Sequence, residues 1–151
     1  MIKENNSFKF NITTTINESV ITVFATLTSS NLIVKWYYPD EVLIEKFAGG
    51  KFIVKYNNCE FIGSVLNIEE PFEFERIEPI PYDFNDDLAN LFDCIILITL
   101  NENENESTNL IIKQSGFPSE EIADREKQKW YNLYIPQLQK LCNNKSYNFL
   151  L

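Results

Sequence analysis

The sequence predicts an α+β domain in which a curved antiparallel sheet wraps around one long C-terminal helix. Three observations carry that expectation. The first segment alternates apolar and polar residues with a period of two. Between Glu41 and Gly116 the pattern is strand throughout, interrupted by turn signals. From Ser119 onward, apolar residues recur every three or four positions. The predicted order is β-α-α-β-β-β-β-β-β-α.

Each element follows from local chemistry. In residues 8–15, Phe8, Phe10, Ile12 and Thr14 alternate with Lys9, Asn11, Thr13 and Thr15, which marks a half-buried strand. Asn17 or Ser19 caps a helix with Val20, Val23, Phe24 and Leu27 on one face. A second cap at Ser29 and Ser30 opens a short helix through Leu32, Ile33 and Trp36, which Pro39 ends. Strands are expected over 42–47, 51–56, 59–68, 72–78, 93–100 and 108–115. Their turns fall at Gly49-Gly50, Asn57-Asn58, Glu69-Glu70-Pro71, the long connection 79–92 and the polar tract 101–106.

Successive turns of such a meander lie at alternate ends of the sheet. That places the 79–92 connection, with Tyr82, Phe84, Leu91 and Phe92, beside the start of the last helix, as a lid over a cavity mouth rimmed by Phe117. The last helix has Glu120, Glu121 and Asp124 in its first turns, where the backbone dipole favours negative charge. Its apolar face should carry Ile122, Trp130, Leu133, Tyr134, Leu138 and Leu141, with a bend at Pro136.

Composition narrows the function. The chain of 151 residues is read as one domain over 1–151, with 143–151 as a loose tail. A net charge of −9 and no basic patch exclude a nucleic-acid binder and an anionic membrane surface. No apolar run approaches the roughly 20 residues of a membrane span, and the first residues carry no signal-like apolar core. Cys59, Cys94 and Cys142 are odd in number and far apart, which predicts free thiols and a cytoplasmic location. The chain has no histidine, so the commonest general base and metal ligand are both absent, and neither a metal nor a cofactor is expected.

Several motifs, in this order, carry a resemblance: Ile12-Thr13-Thr14-Thr15-Ile16-Asn17, Val23-Phe24-Ala25-Thr26-Leu27-Thr28, Lys35-Trp36-Tyr37, Gly49-Gly50-Lys51-Phe52, Gly63-Ser64-Val65-Leu66-Asn67-Ile68, Gln114-Ser115-Gly116-Phe117 and Trp130. With them the chain resembles the START-like (SRPBCC, birch-pollen-allergen type) superfamily and its helix-grip fold. Within it, the chain is most similar to the family of the activator of heat-shock protein 90 ATPase. The likeness spans nearly the whole chain. It departs at Gln114, where such proteins often have histidine, and in Phe72-Glu73-Phe74-Glu75-Arg76-Ile77-Glu78, a strand that usually ends in aromatics.

The resemblance implies a binding protein, with heat-shock protein 90 as an alternative partner and a link to stress response. The family's named activators carry a further domain ahead of the part resembled here. With a first strand at about Phe8 there is no room for one, so strong ATPase stimulation by this chain alone is not expected.

Alternation gives the inner face of the sheet: Phe52, Val54 and Tyr56; Phe72, Phe74, Arg76 and Glu78; Cys94, Ile96, Ile98 and Leu100; Thr108, Leu110, Ile112 and Gln114. A few polar groups in an apolar concavity are how small-molecule sites are built. The candidate ligand-binding residues are Phe52, Val54, Tyr56, Phe74, Arg76, Ile96, Ile98, Leu110, Ile112, Gln114, Phe117, Trp130 and Tyr134. The bland alternative pairs Arg76 with Glu78 or Glu75 near the rim. The expected function is binding of a small apolar or amphipathic molecule between sheet and helix. A cyclase-type enzyme using Arg76 and Glu78 is the third reading, weakened because Ser115 has no histidine to activate it and Asp83, Asp86 and Asp87 lie on a predicted loop.

Overall fold

The computed structural model describes residues 7–83 and 87–143. Phe84, Asp86 and, of the expected tail 143–151, residues 144–151 lie outside the described residues, while Asn143 belongs to the last helix. The elements are β1 (Phe8–Ile16), α1 (Val20–Thr28), α2 (Ser30–Trp36), β2 (Glu41–Ile44), β3 (Lys51–Tyr56), β4 (Cys59–Glu69), β5 (Glu73–Asp83), β6 (Asp87–Glu102), β7 (Thr108–Phe117), α3 (Glu120–Lys129), a π-helical turn (Trp130–Tyr134) and α4 (Ile135–Asn143). They form the helix-grip architecture, with a curved antiparallel sheet of seven strands in the order β1-β7-β6-β5-β4-β3-β2.

Local sequence explains the element ends. Ser19 Oγ accepts a hydrogen bond from the Thr22 N–H and so caps α1. The Ser29 N–H closes α1 on the Ala25 carbonyl, while the Ser29 carbonyl receives Leu32 and Ile33 at the start of α2. Tyr38 then adopts φ 65°, a left-handed conformation that ends α2 one residue before Pro39. Asn57 and Asn58 both have positive φ, as a two-residue hairpin turn between β3 and β4 demands. Gly116 has φ +99°, and a side chain there would run into the Asp93 carbonyl of β6.

The connection expected over 79–92 is corrected by the structure: it is a continuation of the sheet. Pro79 pairs with Asp93, Ile80 with Phe92 and Pro81 with Leu91, so β5 and β6 extend as one long hairpin. The pairing of β5 with β4 stops at Ile77. Beyond it β5 has one unpaired side, where a proline without N–H removes no ladder bond. Arg125 of α3 donates to the carbonyls of Pro81 (3.1 Å) and Tyr82 (2.6 Å), which ties this arm to the helix. The arm is bound rather than a loose lid.

The last helix also differs in detail. Ser119 Oγ caps it by accepting from the Ile122 N–H, and Glu120 and Glu121 occupy the first turn. At Trp130–Tyr134 the turn widens, and the Ile135 N–H reaches back to the Trp130 carbonyl. The wide turn comes just ahead of Pro136, whose ring would collide with the carbonyl of the preceding α-turn. Trp130, Tyr134, Leu138 and Leu141 are buried, whereas Leu133, expected on the same face, is 42% exposed. α4 packs on α1 and α2, and α3 packs on β1.

Candidate functional site

The concave side of the sheet carries a nearly dry apolar wall. Phe52 and Val54 of β3, Phe74 of β5, Ile96 and Ile98 of β6, and Leu110 and Ile112 of β7 are all fully buried. Trp130 and Tyr134 of the π-turn close over this wall together with Trp36 and Tyr37, which α2 supplies at its end. The Trp36 ring lies 5.9 Å from Trp130, and the Tyr37 ring 4.8 Å from Tyr134. Trp36 is held by its own indole N–H, which donates to the Thr26 carbonyl at 2.9 Å.

Two polar features interrupt the wall. Gln114 Oε1 accepts from the Trp130 indole N–H at 3.0 Å, which fixes the π-turn against β7. Gln114 also bonds the buried Cys94 thiol. Burial outweighs that bond and pushes the thiol up to about 12.

The second feature is the pair Arg76 and Glu78, two residues apart on the inner side of β5 and 1% and 2% exposed. Arg76 Nε donates to Glu78 Oε1 at 2.9 Å, and the Tyr37 hydroxyl donates to Glu78 Oε2 at 2.9 Å. Arg76 Nη2 has no hydrogen-bond partner among the described residues. The guanidinium carbon stands 4.4 Å from the Phe52 ring centre, 5.4 Å from Tyr37 and 5.6 Å from Phe74.

The electrostatics of this cluster are set by burial. Burial alone would lower the Arg76 pKa, but the Glu78 carboxylate, Tyr37 and the hydrogen bonds they make hold it above its ordinary value. Burial raises Tyr37 well above the ordinary phenol range, with the Glu78 charge adding to it. Tyr56 and Tyr134 are raised for the same first reason. All three phenols therefore stay protonated and act as neutral hydrogen-bonding groups. Each Glu78 oxygen accepts one hydrogen bond, so the carboxylate orients the guanidinium and is itself held by the Tyr37 hydroxyl.

The predicted site is thus largely brought together, with corrections. The Arg76–Glu78 pair lies in the core and not at the rim. Phe117 is fully buried, stacked on Phe10 at 5.4 Å and beside Phe92 at 6.0 Å, and forms no rim. Tyr56 is only half-buried, with its ring 5.8 Å from Phe61. Phe72, expected inward, is 49% exposed in the turn before β5.

Sequence reasoning left Tyr37 out of the site, and set Trp36 aside as core despite its likeness to an aromatic site with Trp130 and Tyr134. The spacing of Tyr37 and Trp36, four residues from Ile33 and Leu32, was the available signal.

Grooves are present at both ends of the sheet. A groove of about 460 Å³ lies where a mouth was expected, between Tyr82 and Asp83 of the β5 arm and Ser119, Glu121, Ile122 and Arg125. The opposite end, where no mouth was expected, has a groove of about 410 Å³ with Ile21, Phe24, Ala25 and Pro71 in its walls.

Fold and core define the class of protein: a START-like domain built around a closed aromatic interior. Residues 18–143 match the family described as activator of Hsp90 ATPase homolog 1-like protein, and the chain belongs to that family. Among solved structures it is similar to protein MLL2253 from Mesorhizobium loti (TM-score 0.73, 18% identity, covering 88% of this chain and 95% of that one). It is also similar to an HSP90 activator from Plasmodium falciparum (TM-score 0.69, 15% identity, 88% and 94%). A third similar structure is the Aha1 dimer from Colwellia psychrerythraea (TM-score 0.69, 14% identity, 89% and 96%). At such identities these structures speak for the fold alone. A search among curated proteins finds no match. No helix among the described residues is long and apolar enough to cross a membrane.

Proposed function

We propose that this chain binds a small apolar or amphipathic molecule, held between the sheet and the α3–α4 helix beside Arg76. The observation that carries this reading is the buried guanidinium, enclosed by aromatic rings, with Nη2 left without a partner among the described residues. A buried charged donor without an acceptor is costly, and an apolar concavity with a few convergent polar groups is the usual form of a small-molecule site. The same reading places the protein in the cytoplasm, where Cys59, Cys94 and Cys142, all free in this fold, stay reduced. Native mass spectrometry of the freshly purified chain tests it. Added mass lost on denaturation is the expected result; bare protein that also takes up no apolar probe would refute the reading.

The family match favours a second reading, an interaction with heat-shock protein 90. Its test is the ATPase rate of that chaperone with stoichiometric amounts of this chain. An unchanged rate is expected here, and a several-fold acceleration would put the second reading first.

A further inference from the structure

The way Arg76 is paired narrows the chemistry of the molecule it would hold. Nε and Nη2 lie along one edge of the guanidinium plane, and that edge commonly takes both oxygens of one carboxylate. Here Glu78 meets the edge through Oε1 alone, and its Oε2 accepts instead from the Tyr37 hydroxyl at 2.9 Å. Tyr37 acts as a positioning residue: its hydroxyl holds Oε2 where Nη2 does not bond it.

The charge of Arg76 is nonetheless already neutralised, because Glu78 is buried beside it. Arg125, another cation coupled to this region, is engaged with Glu126 and with the carbonyls of Pro81 and Tyr82. Glu126 itself lies between Arg125 and Lys129. The tyrosines that face the pair, Tyr37, Tyr56 and Tyr134, are neutral. A ligand carboxylate at Nη2 would set two anions against one cation in a dry interior. An uncharged acceptor would satisfy the open donor and add no buried charge.

We propose that the ligand presents an uncharged hydrogen-bond acceptor, such as a ketone, ester or amide carbonyl, to Arg76 Nη2, and that Tyr37 keeps that donor available. This rests on the small-molecule reading above.

The test compares three molecules with the same chain length, 2-decanone, decanoate and decane, binding to the full chain at neutral pH. Binding is followed by the fluorescence of Trp36 and Trp130, the protein's two tryptophans. The ketone should bind about tenfold or more tighter than decane, the scale of a hydrogen bond to a charged group, and tighter than decanoate.

Two variants carry the assignment. Arg76→Met combined with Glu78→Gln removes the donor without leaving a lone charge. Tyr37→Phe removes only a hydroxyl and frees Glu78 Oε2 to take Nη2. Both should bind ketone and decane alike. Decanoate binding as tightly as the ketone, or decane doing so, overturns the inference while the small-molecule reading stands. Full ketone preference in either variant also overturns it. If none of the three binds, the small-molecule reading falls and takes the inference with it.

Discussion

Replacing Arg76 with methionine should be among the most damaging single changes in the molecule. The guanidinium is 1% exposed and is one of two groups bonded to the Glu78 carboxylate, itself 2% exposed. Removing it leaves a buried anion held only by the Tyr37 hydroxyl. Breaking a buried pair in this way costs about 3–5 kcal/mol. The lost contact with the Phe52 ring at 4.4 Å adds on the order of 0.5–2 kcal/mol, which the methionine's own packing partly offsets. A domain of this kind is stable by about 5–15 kcal/mol, so the loss takes roughly a fifth or more of the total.

Adding Glu78→Gln to the same chain removes the stranded charge and leaves an amide oxygen for Tyr37. The double variant should return to within about 2 kcal/mol of the parent. Equilibrium urea unfolding reads both values, and an unchanged m-value shows that the midpoints report stability. A single variant that loses less than about 1 kcal/mol, or a double variant worse than the single, would refute this account of the pair.

Alkaline pH should destabilise the protein. Burial pushes Cys94 up to about 12 and Cys142 up to about 11, above the roughly 8.5 of an unfolded thiol. The native state then binds more protons, so this contribution is complete below about pH 8.5 and is lost as pH rises through the folded values. The urea midpoint should fall across that window; a rising midpoint would contradict the assignment. With a thiol-reactive dye, half-buried Cys59 should react in the native protein, and Cys94 and Cys142 only after unfolding, three thiols in all. Ser119→Ala should cost about 1 kcal/mol in urea unfolding, because Ser119 Oγ receives the Ile122 N–H at the start of α3.

The period-two segments were legible because each strand buries one face: Cys94, Ile96, Ile98 and Leu100 all point inward as alternation requires. The β5–β6 arm was not. Pro79 and Pro81 read as loop residues, and only the three-dimensional fact that the pairing with β4 stops at Ile77 makes them tolerable in a strand. Leu133 was misplaced because a constant helical period assumes α-geometry, and the π-turn before Pro136 changes the rotation at that point. Alternation did put Arg76 and Glu78 on the inner face. Their depth was missed because the cost of burying charge argued for the rim, and the offsetting hydroxyl of Tyr37 comes from a helix end 41 positions away.

The two polar features of the core differ in how their hydrogen-bonding groups are partnered. Gln114 bonds Trp130 on one side and Cys94 on the other, a closed set that holds the last helix against β7. Arg76 and Glu78 form an open set, since Oε2 is held by the Tyr37 hydroxyl and Nη2 has no partner among the described residues. A buried ion pair is often no more stabilising than apolar side chains of the same volume, so stability alone gives little reason for charged groups at this depth of β5. What the pair adds is one directional donor among apolar and aromatic side chains. A directional donor discriminates between ligands of equal size by whether they carry an acceptor, which shape alone does poorly.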